Sequence, residues 1–199
     1  MIGVIAGGDG DRGTDVREQM ARSAALLFGK RGFSGTGLRD VIAHSSTPRG
    51  SIYHHFAGGK AELAREAVRY AADEVAGPVG EAGRSGDPIA ALHAWLDHWR
   101  GALERSDFHA GSAVLAVAIE PDEQTGARAA AAAAFEGWAE AFAATLHGSG
   151  VKRKKAARLA TLTVAAIEGA VAVSRARGDT LALDQVGREL EAAIEAARS

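Results

Sequence analysis

The sequence predicts an all-α protein. Three observations carry this. Alanine occurs 45 times in 199 residues, and alanine is the best helix former. Apolar residues recur at steps of three and four along most of the chain, the spacing of one helix face. No stretch alternates apolar and polar residues as a half-buried strand does.

The elements follow in order. Thr14 or Asp15 can cap a first helix, in which Val16, Met20, Ala24, Leu27 and Phe28 share a face. Gly32 stops it. Residues 1–13, rich in Gly and Asp, read as a disordered lead-in. Thr36 caps a short second helix with Leu38, Val41 and Ile42 inward. After the polar "HSST", Thr47 and Pro48 form a start signal: a capping hydroxyl, then a proline whose missing N–H costs nothing. A third helix over 48–55 results. Gly58-Gly59 breaks it, and a fourth spans 60–76. Gly77-Pro78 and "GRSGDP" separate that from a fifth over 88–105, with Leu92, Trp95, Leu96, Trp99 and Leu103 as its apolar stripe. A sixth helix spans 111–119, ended by Pro121. The alanine-rich seventh spans 122–147 and carries Phe135, Trp138 and Phe142. The eighth, 152–177, is interrupted only by Gly169. The ninth, 183–197, places Val186, Leu190 and Ile194 four apart. No internal repeat is evident.

Composition narrows the function. There is no cysteine, which excludes disulfides, zinc-thiolate sites and cysteine nucleophiles. No apolar run approaches the roughly 20 residues of a membrane span. The apolar start lacks the basic flank of a signal peptide. A cytoplasmic protein is expected. The net charge of −2 is unevenly spread. Residues 12–60 hold eight Lys/Arg against three Asp/Glu, while residues 61–199 hold fifteen against twenty. A basic head on an acidic body points to a polyanion at the head.

The head contains "TPRGSIYHHFAGGKAEL", residues 47–63. A phosphate-loop reading fails, because the required first glycine position is His54 and the Ser/Thr position after the lysine is Ala61. His54 and His55 are adjacent on a helix and point about 100° apart, so they do not share a metal. His93 and Asp97 lie off their helix's apolar stripe, on a solvated face. Ser51 has histidines nearby but no nucleophile elbow around it. No catalytic set, metal site or cofactor is expected. Polynucleotide binding accounts for more. Arg49 can reach a guanine edge, and Gly50 and Ser51 allow close backbone approach. Tyr53, His54 and His55 offer donors, and Lys60 opens the next helix, where free N–H groups favour an anion. Ile52 and Phe56, four apart, anchor the helix. Each polar residue taken singly also fits as packing; their sharing one short helix after a tight turn matches a helix-turn-helix module.

"GTGLRDVIAHSSTPRGSIYHHFAGGKAEL" resembles the DNA-binding signature of TetR-type transcriptional regulators. "RGSIYHHF" followed by Gly-Gly-Lys is similar to the LmrA/YxaF-like branch. Gly111 after Phe108, "AIE" at 118–120 and "IEGAVAVSRARGDTLAL" at 167–183 agree with that branch. The resemblance covers residues 14–195. Two departures stand out: Ser46 where the family favours glycine, and the basic "KRKK" at 152–155, which opposes the helix dipole.

The resemblance implies a nine-helix fold. Residues 14–60 are its helix-turn-helix domain and 61–199 its ligand-binding and dimerisation domain. It also implies a homodimer on an inverted-repeat double-stranded DNA operator, most often a repressor released by a small-molecule effector. Base contacts carry over to Arg49, Gly50 and Ser51, and phosphate contacts to Thr36, Tyr53, His55 and Lys60, with His54 beside them. Pocket candidates are Leu92, Trp95, Trp99, Phe108, Leu115, Trp138 and Phe142. The stripes there carry no Lys or Arg, so a planar hydrophobic effector is expected, oriented by His93, His98 or Thr163. Dimer candidates are Val164, Ile167, Gly169, Ala170, Val173, Val186, Leu190 and Ile194.

Overall fold

The computed structural model describes residues 9–48, 50–120 and 126–198, with side chains from Val16 onward. Among the described residues there are nine helices and no strand. They are α1 (Asp9–Arg31), α2 (Leu38–Ser45), α3 (Ser51–His55), α4 (Gly59–Gly83), α5 (Pro88–Arg105), α6 (Ala113–Ala118), α7 (Ala127–Gly148), α8 (Arg153–Arg177) and α9 (Leu181–Arg198).

Five boundaries differ most from expectation, one being α7, which starts at Ala127 after Gly126 instead of at residue 122; residues 121–125, with the expected Pro121 stop, lie outside the described residues. α1 begins at Asp9, so residues 9–13 join the helix instead of a lead-in, and Thr14 and Asp15 do not cap it. Residues 1–8 of the expected lead-in lie outside the described residues. Gly37, not Thr36, caps α2; its N–H donates to the Asp40 carboxylate at 2.7 Å. α3 starts at Ser51 instead of Pro48. α4 runs straight through Gly77 and Pro78 to Gly83. The proline deprives the Glu74 carbonyl of its partner, but Val75 and Val79 on either side pack inward and hold the helix together.

α4 is the centre of the molecule. It starts in the head and packs in turn on α1, α5, α6 and α7. α8 closes the body against α7 and α5, and α9 covers α5 and α8. Trp138 Nε1 donates to the Ala72 carbonyl at 3.1 Å, tying α7 to α4. By length and composition α8 can cross a membrane, which the sequence reading missed; half of that stretch is buried inside the protein.

Head and body meet backbone to backbone. Gly29 of α1 crosses Gly111, just before α6, so closely that a Cβ on Gly29 would sit 2.2 Å from the Gly111 oxygen. Arg175 of α8 then reaches across and donates to the carbonyls of Gly29 at 2.5 Å and Lys30 at 2.6 Å. Glu120 holds Ser34 through its N–H at 3.0 Å and its hydroxyl at 2.6 Å.

Candidate nucleic-acid interface and cavities

The turn between α2 and α3 begins at Ser46, which adopts a left-handed conformation with φ of 55°. The hydroxyls of Ser45 and Thr47 hydrogen-bond each other at 2.8 Å in a buried pocket. Thr47 is therefore spent on the turn and does not cap α3. Gly50 takes the cap position, and the Ser51 N–H donates to the Pro48 carbonyl at 2.9 Å.

α3 divides its residues by face. Ile52 and Phe56 are buried, as their spacing predicts. Gly50, Tyr53 and His54 are exposed on the outer side, where Tyr53 is 67 % exposed, and Ser51 and His55 are half-buried beside them. Arg49 lies outside the described residues. The rings of His54 and His55 meet edge-on at 5.2 Å. Among the described residues, no cluster of three metal-ligating side chains occurs.

Arg17 of α1 holds this helix from behind. It donates to the His55 carbonyl and bridges Glu62 and Glu66 of α4 at 3.0 Å each. Its guanidinium lies 4.5 Å from the centre of the Phe56 ring, a cation–π distance. Glu62 also accepts from the Gly58 N–H at 2.9 Å, and that bond, then Arg17, holds its carboxyl below the usual range.

Two phosphate candidates need correction. Thr36 is only 1 % exposed, and its hydroxyl points inward to the carbonyls of Gly32 at 2.9 Å and Leu27 at 3.3 Å. It fixes the end of α1 and has no donor to spare for DNA. Lys60 opens α4 but folds back, its Nζ 4.1 Å from the Phe33 ring centre. Burial lowers its pKa, and Glu120 and Asp40 oppose that shift. To reach a phosphate, Lys60 must swing off that ring.

The pocket candidates separate into three cavities. Trp95, Trp138 and Phe142 line one of about 570 Å³ between α4, α5 and α7, with Asp73 and Arg84 also in its wall. Trp95 meets Trp138 edge-on at 5.8 Å and Phe142 at 6.2 Å. Trp99, with Trp138 again, lines a second cavity of about 500 Å³, with His98, Tyr70 and Glu74. This one contains Arg22, Lys30 and Arg105, contrary to the expectation of a region without cations. Burial lowers the His98 pKa there. Phe108 and Leu115 line a third, about 510 Å³, among α1, α6 and α8. Leu92 is fully buried core and lines none of these three. His93 faces outward to Glu191 at 3.3 Å, and Thr163 is occupied by the Leu159 carbonyl at 2.9 Å. Neither orients a ligand.

Residues 22–67 match the family described as bacterial regulatory proteins, tetR family. Residues 88–189 match the family described as transcriptional regulator LmrA/YxaF-like, C-terminal domain. An uncharacterised helix-turn-helix-type transcriptional regulator of Mycobacterium tuberculosis is 41% identical over 180 residues, 87% of this chain and 91% of that one. The chain belongs to the TetR family, in its LmrA/YxaF-like branch. The regulator LmrA of Bacillus subtilis is 30% identical over 162 residues, 80% of this chain and 86% of its own. The fold agrees with solved TetR structures. A regulator from Agrobacterium tumefaciens superposes with a TM-score of 0.76 at 22% identity, covering 90% of this chain and 97% of its own. A cysteine mutant of the regulator CifR, complexed with a 26 bp operator duplex, superposes at 0.67 and 19% identity, covering 90% and 96%. This protein is thus a DNA-binding transcriptional regulator, and the outer side of α3 is its candidate reading face.

The dimer candidates of this TetR-family chain need sorting too. Val164, Ile167, Ala170, Leu190 and Ile194 are buried within the single chain. Their stripes are consumed by the chain's own core, so they leave little surface for a partner. Val186 is half-buried. Gly169 and Val173 do face outward, and the structure adds Leu162, 54 % exposed, and Ala165 on the same side of α8. Sequence reasoning also missed Arg17, Gly29, Arg175 and Glu168. Only Glu168 left a local signal, as the single charge between positions 159 and 174.

Proposed function

We propose that this regulator is a repressor that works as a homodimer and is released from its operator by a small, planar, largely apolar effector. The observation that carries the DNA half is the division of α3: Gly50, Tyr53 and His54 outward with Ser51 beside them, Ile52 and Phe56 inward. A helix seated in a major groove needs that arrangement. Two such heads on a two-fold dimer read an inverted repeat. The outward stripe Leu162, Ala165, Gly169 and Val173 on α8 supports the pairing of two chains, since small residues there let helices approach closely.

The cavity between α4, α5 and α7 suits the effector. Trp95, Trp138 and Phe142 give it flat apolar walls. The Trp95 indole N–H is buried without a hydrogen-bond partner, so an acceptor on the effector has a donor to meet. α4 forms one wall of that cavity and also begins at the reading head. An occupant that prefers one position of α4 shifts the DNA-binding equilibrium by its difference in affinity between the two states. No catalytic step is assigned, and the working site is the cytoplasm.

The test is a gel shift on the regulator's own upstream DNA, run alongside tryptophan fluorescence with planar hydrophobic compounds. Quenching and release from DNA should share one midpoint. Quenching with unchanged DNA affinity would refute the coupling, and absence of a specific shift would refute the operator reading.

A further inference from the structure

The cavity among α1, α6 and α8 contains a group that its surroundings leave unsatisfied. Glu168, in the middle of α8, stands in its wall and is 4 % exposed. Among the described residues, no group meets either carboxylate oxygen with good hydrogen-bond geometry. Acidic side chains are almost never fully buried unless paired. The other charged groups of the cavity are already engaged. Arg175 is spent on the carbonyls of Gly29 and Lys30, and Glu120 on Ser34. The Ser112 hydroxyl accepts from the Leu115 N–H at 3.1 Å, which leaves its O–H to donate toward Glu168, and this draws the Glu168 pKa only partway back. Burial dominates and pushes that carboxyl up to about 7. Beside the cavity, Phe108 holds a left-handed backbone with φ of 58°, a conformation that a bulky residue adopts only when its surroundings enforce it.

We propose that Glu168 anchors a second ligand site, and that its ligand is a small organic amine. The protonated nitrogen meets the carboxylate, and the apolar body lies against Phe28, Phe108, Leu115 and Val171. The volume of about 510 Å³ falls within the range of small-molecule sites. Charge-assisted N–H···O bonds are the strong kind. This cavity shares no lining residue with the one between α4, α5 and α7. It is built partly from Phe28, Gly29 and Gly32 of α1, so an amine bound here presses directly on the head. That last consequence rests on the proposed regulatory role; the binding itself does not.

Binding is therefore tested without DNA. Calorimetry with benzylamine, tryptamine and n-octylamine is compared with their neutral counterparts benzyl alcohol, tryptophol and 1-octanol. At least one amine should bind once per protomer, and at least ten-fold more tightly than its alcohol. Glu168→Gln should erase that preference. Ala116→Phe, which fills the cavity and leaves the carboxylate in place, should abolish binding of the amine. Unliganded Glu168→Gln should also melt at a higher temperature than the wild type, because a carboxylate kept for a ligand is a cost in its absence. The proposal is overturned if no amine outbinds its alcohol or if Glu168→Gln still prefers the amine. It is equally overturned if the unliganded variant melts lower, which would make Glu168 a structural anchor of the α6–α8 contact.

Discussion

Gly29→Ala is the sharpest probe of how the head is mounted on the body. Helix propensity alone favours the change, since glycine inside a helix costs about 0.5–1 kcal/mol relative to alanine. The structure reverses that sign. The new Cβ would lie 2.2 Å from the Gly111 oxygen and 3.1 Å from its carbonyl carbon, and both atoms are backbone. A tolerable carbon–oxygen contact needs α1 and the Gly111 segment to part by about 1 Å. Overpacking of this kind costs about 1–3 kcal/mol, with the upper end expected where no side chain can yield. Parting also loosens the two bonds from Arg175 to Gly29 and Lys30. The expected net loss is about 1–3 kcal/mol, a fall in Tm of roughly 2–10 °C for a chain of this size. The assay is urea and thermal unfolding beside Gly137→Ala, an exposed position in α7 with nothing near its Cβ. That control should gain about 0.5 kcal/mol. DNA affinity should change in Gly29→Ala and not in the control. If Gly29→Ala is as stable as the wild type, the two segments have slack and the tight crossing carries no load.

Four further outcomes are expected. Ser46→Gly should stabilise by about 0.5–1 kcal/mol in urea melts, because relief of the left-handed strain outweighs the extra entropy of glycine in the unfolded chain. Glu168 should give stability a pH slope. Its folded pKa of about 7 exceeds the model-compound 4.5, so the native state holds the proton longer and stability falls as pH rises between those values. The loss above pH 7 is about 3 kcal/mol and should be absent in Glu168→Gln; the other groups at the site are the Ser112 hydroxyl, Arg175 and Glu120, and equal slopes in both proteins would locate the titration elsewhere. Paired substitutions Leu162→Glu and Val173→Glu should reduce the mass in light scattering to that of a 20.5 kDa monomer, while an unchanged dimer would move the interface off α8. Tyr53→Ala should weaken operator and random DNA alike, whereas Arg49→Ala should cost about 1–3 kcal/mol on the operator and relax preference at one position; equal losses on both DNAs would remove Arg49 from base reading.

How far the sequence was legible depends on whether a signal was local. α5 begins at Pro88 as predicted, because Asp87 accepts from the Ile89 N–H at 3.0 Å and the proline sits at the first helical position. The same logic failed at Thr47-Pro48. There the cap hydroxyl is claimed by Ser45, a contact that depends on the folded turn. Ile52 and Phe56 were readable as anchors, since four-residue spacing fixes which way they point. Thr36 was not, because only the packing of α1 turns its hydroxyl inward. The aromatic stripes identified real lining residues but not which cavity each faces, since neighbours on one helix address different partners. Apolar spacing likewise marks a face without saying whether the chain's own core or a second copy covers it. That is why Ile167 and Leu190 looked like interface and are core, while Leu162 was overlooked.

α3 has five residues, far fewer than the about 12–15 at which an isolated helix becomes even marginal in water. It exists because Ile52 and Phe56 are sunk in the head and Arg17 grips the carbonyl of His55. The duties of folding and of reading therefore fall on different side chains. Positions 50, 51, 53 and 54 are free to vary without unsettling the helix that displays them. Such a protein can acquire a new operator through a handful of surface changes, each nearly neutral for stability. Substitutions at Arg17, Ile52 or Phe56 would instead abolish recognition of every sequence at once. Divergence of DNA preference among relatives is thus expected to concentrate on those four positions and Arg49, with the scaffold behind them held fixed.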